Sequence, residues 1–367
     1  MFNKYFEKGT YVDKLENNDY SPEKNGRDSE PWPSQAVHLF EKKPSQLSHE
    51  FFIKIEKDYL NSTSLLLDQK KFEDSEWWKS CRQEFNDIFF ANGKINMAAL
   101  ENFRNSVKTK AEILNDQNFL KADTGSRLNK IKAISLINLY HKLSSHVSLE
   151  ILRMTSDSII GNNFCLNYRG QRINQRILRY AYYLSQIKRN TSLQDEKRNI
   201  FLDIGGGYGG LSRLLKNYYN NSTFVIIELP ELCLLSSYFL YSNFPSKKIG
   251  TFSDFKNLDR LNSEDLLKYD FVILPQNFME KFNDEIFDLI VNTTSLGEMS
   301  DIMQDYYLQN LERCTKKYFY SVNRSQKRVE KYNSRGFYDF KFKKRWRSLV
   351  YKYSHTYHIE FLGKKIK

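Results

Sequence analysis

The chain has 367 residues, a length that favours two domains, because most domains run to about 100 to 200 residues. Hydrophobic residues make up 40% and aromatic residues 15%, which supplies a sizeable core and excludes a chain that is disordered throughout. The net charge of +12 is unevenly placed, since residues 316–367 hold 16 Lys or Arg against three acids.

A basic segment of this kind can attract nucleic acid, an anionic membrane or a phosphorylated sugar, although a solvated basic face is the favoured interpretation. The four cysteines are scattered and form no CxxC pair, which argues against a disulfide framework or a zinc site. The N-terminus lacks the apolar core of a secretion signal, and no stretch approaches the roughly 18 apolar residues that a membrane span needs. We therefore expect a soluble, cytoplasmic protein.

The first half of the chain predicts helices. Residues 1–34 are polar, with Pro, Gly and charge, and are expected to form an extended lead-in. Over residues 35–190, segments such as EWWKSCRQEFNDIFF repeat apolar residues every three or four positions, which is typical of helices with one buried face. This range is predicted to be an α-helical N-terminal domain that covers a substrate, and its last helix, QRINQRILRYAYYLSQIKR, joins it to the rest.

Residues 191–367 alternate short apolar runs with helical stretches, which predicts a Rossmann-like α/β domain: a mostly parallel sheet with helices on both faces. The last two runs, SLVYKYSH and TYHIEFLG, leave no room for a helix between them, so we expect an antiparallel hairpin at the sheet edge. A long stretch, KKIGTFSDFKNLDRLNSEDLLKYD, precedes the run FVILP and leaves open which strand is third.

A glycine-rich segment, NIFLDIGGGYGGLSRLLK, places an apolar strand, a tight turn and a helix in succession. Glycine is needed there because the chain turns sharply while a ligand lies against its backbone. Gly205, Gly207 and Gly209 spell GxGxG, whereas Gly205, Gly207 and Gly210 spell GxGxxG. The glycine spacing alone therefore does not separate a methyltransferase from a dinucleotide enzyme.

Two acidic residues favour S-adenosylmethionine as the cofactor. Asp203 lies two positions before the first glycine, where a carboxylate suits a cofactor with a cationic amino-acid end and a sulfonium, but would repel a pyrophosphate. Glu228 ends the next apolar run, STFVIIE, where a carboxylate can accept hydrogen bonds from both ribose hydroxyls of an adenosine. A surface acid at the start of a helix is the plainer alternative for Glu228.

The segments FLDIGGGYGG, IIELPE, FVILPQ and FDLIVNTTSLGEM, with INQRILRYAYYLSQI upstream, resemble class I methyltransferases and, among them, the sugar O-methyltransferases of bacterial carbohydrate clusters. The resemblance covers residues 161–323, and its sugar assignment rests on NTTSLGEM and LRYAYYLSQI. It implies that Asp203 and the loop glycines line the methionine part of the cofactor, that Glu228 binds the ribose, and that Gln276 or Asn277 lies near the adenine. The full set of predicted cofactor-binding residues is Asp203, Gly205, Gly206, Gly207, Tyr208, Gly209, Glu228, Leu229, Gln276, Asn277, Asn292 and Thr293.

Methyl transfer to oxygen is an in-line displacement that needs an aligned acceptor and a general base. The run FDLIVNTT brings Asn292 to Ser295 to the carboxyl end of a strand, where ligands bind in doubly wound sheets, and Glu298 follows one turn later. Glu298 is the first candidate for the base and Ser295 for contact with the acceptor, with a capping box between them as the structural alternative. Glu298 and Asp301 could also hold a divalent cation that orients a diol.

Further candidates lie on the final hairpin and on the helix before the glycine loop. His355 and His358 are second-rank bases, and at most one can face a site because their odd spacing in a strand points the rings to opposite faces. In the RYAYY cluster, Tyr183 could stack on a sugar ring and Arg179 could contact an acidic group. A helical stripe of tyrosines is more often core.

The patterns together predict an S-adenosylmethionine-dependent O-methyltransferase that acts on a sugar or glycan, whether nucleotide-, lipid- or polymer-linked. An RNA or DNA methyltransferase is the alternative enzyme; the basic C-terminus favours it, but DPPY, NPPY and PC motifs are missing, so a nucleic-acid partner is not expected. A third hypothesis is a scaffold that binds the cofactor without turnover. The sequence does not fix the oligomeric state and leaves a homo-oligomer open.

Overall fold

The computed structural model describes residues 47–67, 75–91, 93–104, 127–163, 165–327, 334–354 and 357–366, and elements are numbered in chain order over that part. The predicted lead-in of residues 1–34 lies outside it. Before residue 199 the described chain is mainly helical, as expected. Its elements are α1 (His49–Leu67), α2 (Glu76–Phe89), β1 (Phe90–Ala91), β2 (Lys94–Ile95), α3 (Met97–Glu101), α4 (Arg127–Ser144), α5 (Leu149–Met154), β3 (Leu166–Tyr168), β4 (Gln171–Ile173) and α6 (Gln175–Asn190).

Local sequence explains where these helices begin and which face they bury. Helix α2 begins after Ser75, whose hydroxyl accepts from the backbone N–H of Trp78, as an N-cap serine does. The same helix buries Cys81, Phe85 and Phe89, which are four residues apart and therefore lie on one face. The helix thus packs one apolar stripe against the core and leaves the opposite face polar.

The rest of the chain forms an eight-stranded mixed sheet with helices on both faces, which confirms the predicted α/β Rossmann-like architecture. Short 3₁₀ helices cover Gln276–Lys281, Leu296–Glu298 and Phe337–Asp339. The other elements are β5 (Ile200–Ile204), α7 (Gly210–Tyr218), β6 (Thr223–Glu228), α8 (Pro230–Asn243), β7 (Ile249–Gly250), α9 (Phe252–Phe255), α10 (Ser263–Leu266), β8 (Phe271–Pro275), β9 (Phe287–Thr293), α11 (Asp301–Cys314), β10 (Thr315–Arg324), β11 (Trp346–Tyr353) and β12 (His358–Lys365).

The strands lie in the order β11-β12-β10-β9-β5-β6-β8-β7. Those from β10 to β7 pair in parallel, and β12 pairs antiparallel with both β10 and β11. The predicted antiparallel hairpin is therefore present, with its second strand on the inner side. The run FVILP, which is β8, pairs with β6 over five residues, whereas the stretch before it supplies only the two-residue edge strand β7. FVILP is accordingly the third strand of the parallel series β5, β6 and β8.

Both faces of the sheet are covered, which is why its parallel strands are continuous apolar runs. Along β5, Phe201 belongs to the apolar cluster that includes the N-terminal helices, α7 and α8, whereas Leu202 and Ile204 belong to the cluster that includes α9, α10 and α11. The N-terminal helices therefore share one core with a face of the sheet. Strand β5 pairs with β6, the next strand along the chain, on one side and with β9 on the other. Ligands bind at the carboxyl edge of such a switch point.

Candidate cofactor site

The glycine loop between β5 and α7 adopts backbone angles that only glycine reaches freely. Gly205, Gly207 and Gly209 have φ of +67°, +60° and +85°, in the left-handed region. A Cβ at Gly205 would overlap the side chain of Ser295, which follows β9. The loop therefore needs its glycines both for its turn and for the close approach of the neighbouring loop.

Asp203 lies directly beneath this loop and has an unfilled acceptor oxygen. Its side chain is buried, and the hydroxyl of Ser212 donates to Oδ2 at 2.8 Å, while no described group donates to Oδ1. Burial raises the pKa of Asp203 to about 7, against the opposing hydrogen bond from Ser212. A cationic donor would satisfy this oxygen and restore the charged form.

Glu228, at the end of β6, is joined to the glycine loop. Its Oε1 accepts from the backbone N–H of Gly207 at 2.8 Å and its Oε2 from that of Leu229 at 2.7 Å. Burial, together with the nearby Asp203 and Glu231, raises the pKa of Glu228 to about 7, against these two hydrogen bonds. Each carboxylate oxygen has a second lone pair, so both remain able to accept from ribose hydroxyls.

A cleft with about 460 Å³ of empty space, part of it open to solvent, lies at this edge of the sheet. Gln276, which follows β8, is buried in its wall, and its Nε2 has no partner among the described residues. Asn277 is also buried, and no described group donates to its Oδ1, but it is not among the lining residues. The cleft is lined by Ser75, Trp78, Gly205, Ile227, Glu228, Leu229, Gln276, Ser295, Met299, Ser300, Met303 and Tyr307.

Asn292 holds the loop after β9 in place. It is fully buried; its Nδ2 donates to the carbonyl of Ile204 at 2.7 Å, and its Oδ1 accepts from Nδ2 of Asn323 at 2.7 Å. The backbone bends sharply after Thr293, because Thr294 has a φ of +67°, a strained angle for a β-branched residue. Asn292 thus supports the site from below, with its polar atoms already used by the protein.

Tyr208, a predicted cofactor contact within the loop, packs toward the N-terminal helices. Its ring lies 5.5 Å from that of Phe103 and 4.9 Å from that of Phe239, and the guanidinium of Arg104 lies 4.9 Å from its centroid. Arg104 in turn forms a two-point ion pair with the buried Asp157, at 2.6 and 3.2 Å. The side chain of Tyr208 therefore fastens the loop to the N-terminal helices.

Glu298, the candidate base, is half-buried in the short 3₁₀ helix after β9. The capping-box alternative is not formed: Ser295 makes no side-chain cap, its hydroxyl donates to the carbonyl of Ile204 at 3.1 Å, and Ser300 caps α11 instead. Asp301 lies 3.5 Å from Nε of Arg335. No group of three potential His, Cys, Asp or Glu ligands occurs in the described chain, and we assign no cation to Glu298 and Asp301.

The second-rank candidates lie around β12 and α6. His358 begins β12 opposite Arg324, at the carboxyl edge of the sheet, and His355 lies outside the described residues. Tyr183 is 1% exposed, and its ring centroid lies 5.7 Å from that of Tyr320. Burial raises the pKa of Tyr183 above its usual range. Tyr183 is thus a core residue, and half-buried Arg179 lies on the same helix.

Several residues of the cleft carry no sequence signal. Ser75 and Trp78 come from α2, and Met303 and Tyr307 from α11. The first two lie more than a hundred residues before the glycine loop and belong to no motif with it. Their role depends on how the N-terminal helices pack on the sheet, which periodicity does not specify.

No protein-family model and no curated protein matches the chain. Solved structures similar to it include the PH0226 protein of Pyrococcus horikoshii OT3, at 12% identity and a TM-score of 0.39 over 53% of this chain and 92% of that one. A SAM-dependent methyltransferase from Aquifex aeolicus matches at 11% identity and 0.33 over 50% and 89%. Phosphoethanolamine N-methyltransferase 2 of Haemonchus contortus, in complex with S-adenosyl-L-methionine, matches at 15% and 0.27 over 39% and 27%. Identities this low leave the chemistry to the residues of this chain.

Among the described helices, none is both long and apolar enough to cross a membrane.

Proposed function

We propose that this protein is an S-adenosylmethionine-dependent methyltransferase. The observation that carries the proposal is the buried Asp203 beneath the glycine loop, whose Oδ1 has no donor among the described residues. A buried acceptor without a donor costs free energy, which a ligand ammonium group would recover. Glu228 on the adjacent strand accepts from the same loop and retains lone pairs for ribose hydroxyls.

The residues present fit the cofactor: Glu228 and Gln276 line the cleft, and the side chain of Asp203 lies against Gly206 of the adjoining loop. Asp203 would accept from the ammonium group, Glu228 would accept from the ribose, and Gln276 would donate to the adenine through its unpartnered Nε2. Bound S-adenosylmethionine supplies an electrophilic methyl group on a sulfonium. The protein's own task is then to align an acceptor and to take up its proton.

We further propose that the acceptor is a hydroxyl of a sugar or glycan and that Glu298 is its general base. The bound cofactor would supply the methyl group, with its sulfur as the leaving group, and the Glu298 carboxylate would take up the proton of the acceptor hydroxyl. Support comes from the NTTSLGEM segment, which spans the end of β9 and the 3₁₀ helix after it and carries both Ser295 and Glu298. The sugar assignment rests on the resemblance of that segment.

Titration calorimetry tests the cofactor assignment. S-adenosylmethionine and S-adenosylhomocysteine should bind the wild-type protein, NAD should not, and Asp203→Ala should lose binding while it keeps its fold. Binding of NAD alone would recast the loop as a dinucleotide site. A radiolabelled-methyl assay against neutral and anionic glycans then tests the acceptor, with Glu298→Gln as the variant that binds cofactor but transfers slowly.

A second candidate, methyl transfer to RNA, is favoured by one feature of the C-terminal region. Five exposed cations precede or begin β11, and none of them forms an ion pair with another described residue: Lys341, Lys343, Lys344, Arg345 and Arg347. A charged strip of this kind binds polyanions in a salt-dependent way. Methyl incorporation into RNA, with none into glycans, would select this candidate.

A further inference from the structure

Helix α2 of the N-terminal region contributes a wall to the cofactor cleft. Ser75, which caps the helix, and Trp78 in its first turn line the cleft together with Glu228 and Gln276. Trp78 is half-buried, so part of a large aromatic ring is not covered by protein. A partly covered indole at the wall of a cleft is suited to pack against a flat ligand ring.

The other walls near Trp78 suit a purine. Met299, Met303 and Tyr307 are apolar or aromatic, and methionine adapts its shape to aromatic neighbours. The wall also contains the unpartnered Nε2 of Gln276, a buried donor. A purine has two apolar faces and acceptor nitrogens at its edge, so this combination matches its chemistry.

Helix α2 is fixed next to the acid that would bind the ribose. Nε of Arg82, one turn after Trp78, donates to both carboxylate oxygens of Glu231, at 3.0 and 3.2 Å. Glu231 is 3% exposed and lies three residues after Glu228, in the first turn of α8. The ion pair therefore holds the N-terminal helix against the nucleoside end of the cleft.

Further contacts hold the N-terminal helices on the same side of the sheet. On α1, Asp58 accepts from the backbone N–H of Ser253 at 3.1 Å and from the hydroxyl of Thr251. Phe51 of α1 stacks on Tyr241 of α8, with ring centroids 4.2 Å apart. Because the hydroxyl of Tyr59 on α1 also donates to Oδ1 of Asn86 on α2, this packed neighbour supports the position of α2 over the cleft.

We propose that helix α2 is part of the cofactor site and that the indole of Trp78 packs against the adenine ring. This inference rests on the proposed function, because it requires an adenosine in the cleft. The N-terminal helices then recognise the nucleoside half of the cofactor, while the glycine loop and Asp203 recognise the amino-acid half. The region expected from the sequence to cover an acceptor acquires a second role as a cofactor-binding element.

The test measures the affinities of S-adenosylhomocysteine and adenosine for wild type and for Trp78→Ala, Trp78→Phe and Trp77→Ala. Stacking of a base on an aromatic side chain makes a loss of about tenfold the expected effect of Trp78→Ala, for both ligands alike. Trp78→Phe should recover most of the affinity. Trp77→Ala, a change of the same size at a half-buried neighbour outside the cleft lining, should stay within about twofold.

The outcomes separate the inference from the function on which it rests. A wild type that binds neither S-adenosylhomocysteine nor S-adenosylmethionine contradicts the proposed function. Wild-type binding with unchanged affinity in Trp78→Ala overturns the inference alone. Should Trp78→Ala fold poorly, the change in tryptophan emission on ligand binding decides: it should be largely lost in Trp78→Phe, and an unchanged signal would overturn the inference.

A second variant tests the helix without touching the cleft lining. Replacing Arg82 and Glu231 together by Met removes the ion pair and leaves no buried charge unpaired. We expect S-adenosylhomocysteine to dissociate several-fold faster, with its affinity relative to adenosine unchanged. A dissociation rate equal to that of the wild type would contradict the role of α2.

Discussion

Asp203→Asn should make the ligand-free protein more stable while abolishing cofactor binding. The pKa of Asp203 is raised by burial to about 7, whereas an unfolded aspartate has a pKa of about 3.9. The folded chain therefore holds this proton more tightly, so its free energy of unfolding falls as pH rises from about 4 to about 7. An amide is neutral at every pH and escapes this loss.

The size of the effect follows from the two pKa values. About three pH units at 1.36 kcal/mol each give an upper limit of about 4 kcal/mol at pH 8. The new amide would also lack a partner at one end, which reduces the expected gain to about 2 kcal/mol. For a protein of 367 residues that corresponds to a rise in Tm of roughly 3 °C.

Thermal unfolding at pH 5 and pH 8, with and without S-adenosylhomocysteine, measures this effect. The gain in Tm should appear at pH 8 without ligand and shrink at pH 5, and the ligand should raise the Tm of the wild type only. Asp288→Asn is the matched control, because the buried Asp288 accepts from the N–H of Ile200 at 3.1 Å and pairs with Lys317 at 2.8 Å. That variant should lose stability. An Asp203→Asn protein no more stable than wild type at pH 8 would refute the reasoning.

Three other predictions concern pH, transfer and the N-terminal packing. Affinity for S-adenosylhomocysteine should rise by about 10²-fold from pH 6 to pH 8, since burial raises the pKa of both Asp203 and Glu228 to about 7 and ligand binding needs both carboxylates; a flat calorimetric profile would contradict this. Glu298→Gln should lower turnover by about 10²-fold or more at unchanged cofactor affinity, and wild-type turnover would remove it from the base role. Asp157→Asn should lower the free energy of unfolding, measured with denaturant, by about 3 kcal/mol. Burial raises the pKa of Asp157, but Arg104 outweighs burial and holds that pKa well below its usual range. An unchanged midpoint would show that the buried pair is dispensable.

The parts of the fold that the sequence predicts are those with short-range causes. The glycine loop follows from a strand, three left-handed glycines and a helix within one segment, and the C-terminal hairpin follows from two adjacent apolar runs with no room for a helix. Parallel strands by themselves place their carboxyl ends at one edge of the sheet, and this brings Glu228 to the loop at Gly207. These features need no knowledge of distant packing.

The parts that the sequence leaves out depend on long-range packing. Tyr208 lies in the motif, yet its side chain packs between Phe103 of the N-terminal region and Phe239 of α8. Asn292 has the position of a ligand contact, but the carbonyl of Ile204 and the amide of Asn323 occupy its polar atoms. Strand position places a residue at the edge, and only the packed structure decides whether its polar atoms are available.

The charges around the cleft bear on the choice between the two cofactors that the glycine spacing allows. Three carboxyl groups lie near the cleft, those of Asp203, Glu228 and Glu231, and Arg82 pairs with Glu231. A dinucleotide would add the negative charges of a pyrophosphate to this setting, whereas an ammonium group and a sulfonium would offset it. Burial raises the pKa of both Asp203 and Glu228 to about 7, so both carboxyl groups are partly protonated in the ligand-free site near neutral pH. A cationic ligand would replace those protons, and this arrangement of carboxylates suits such a ligand.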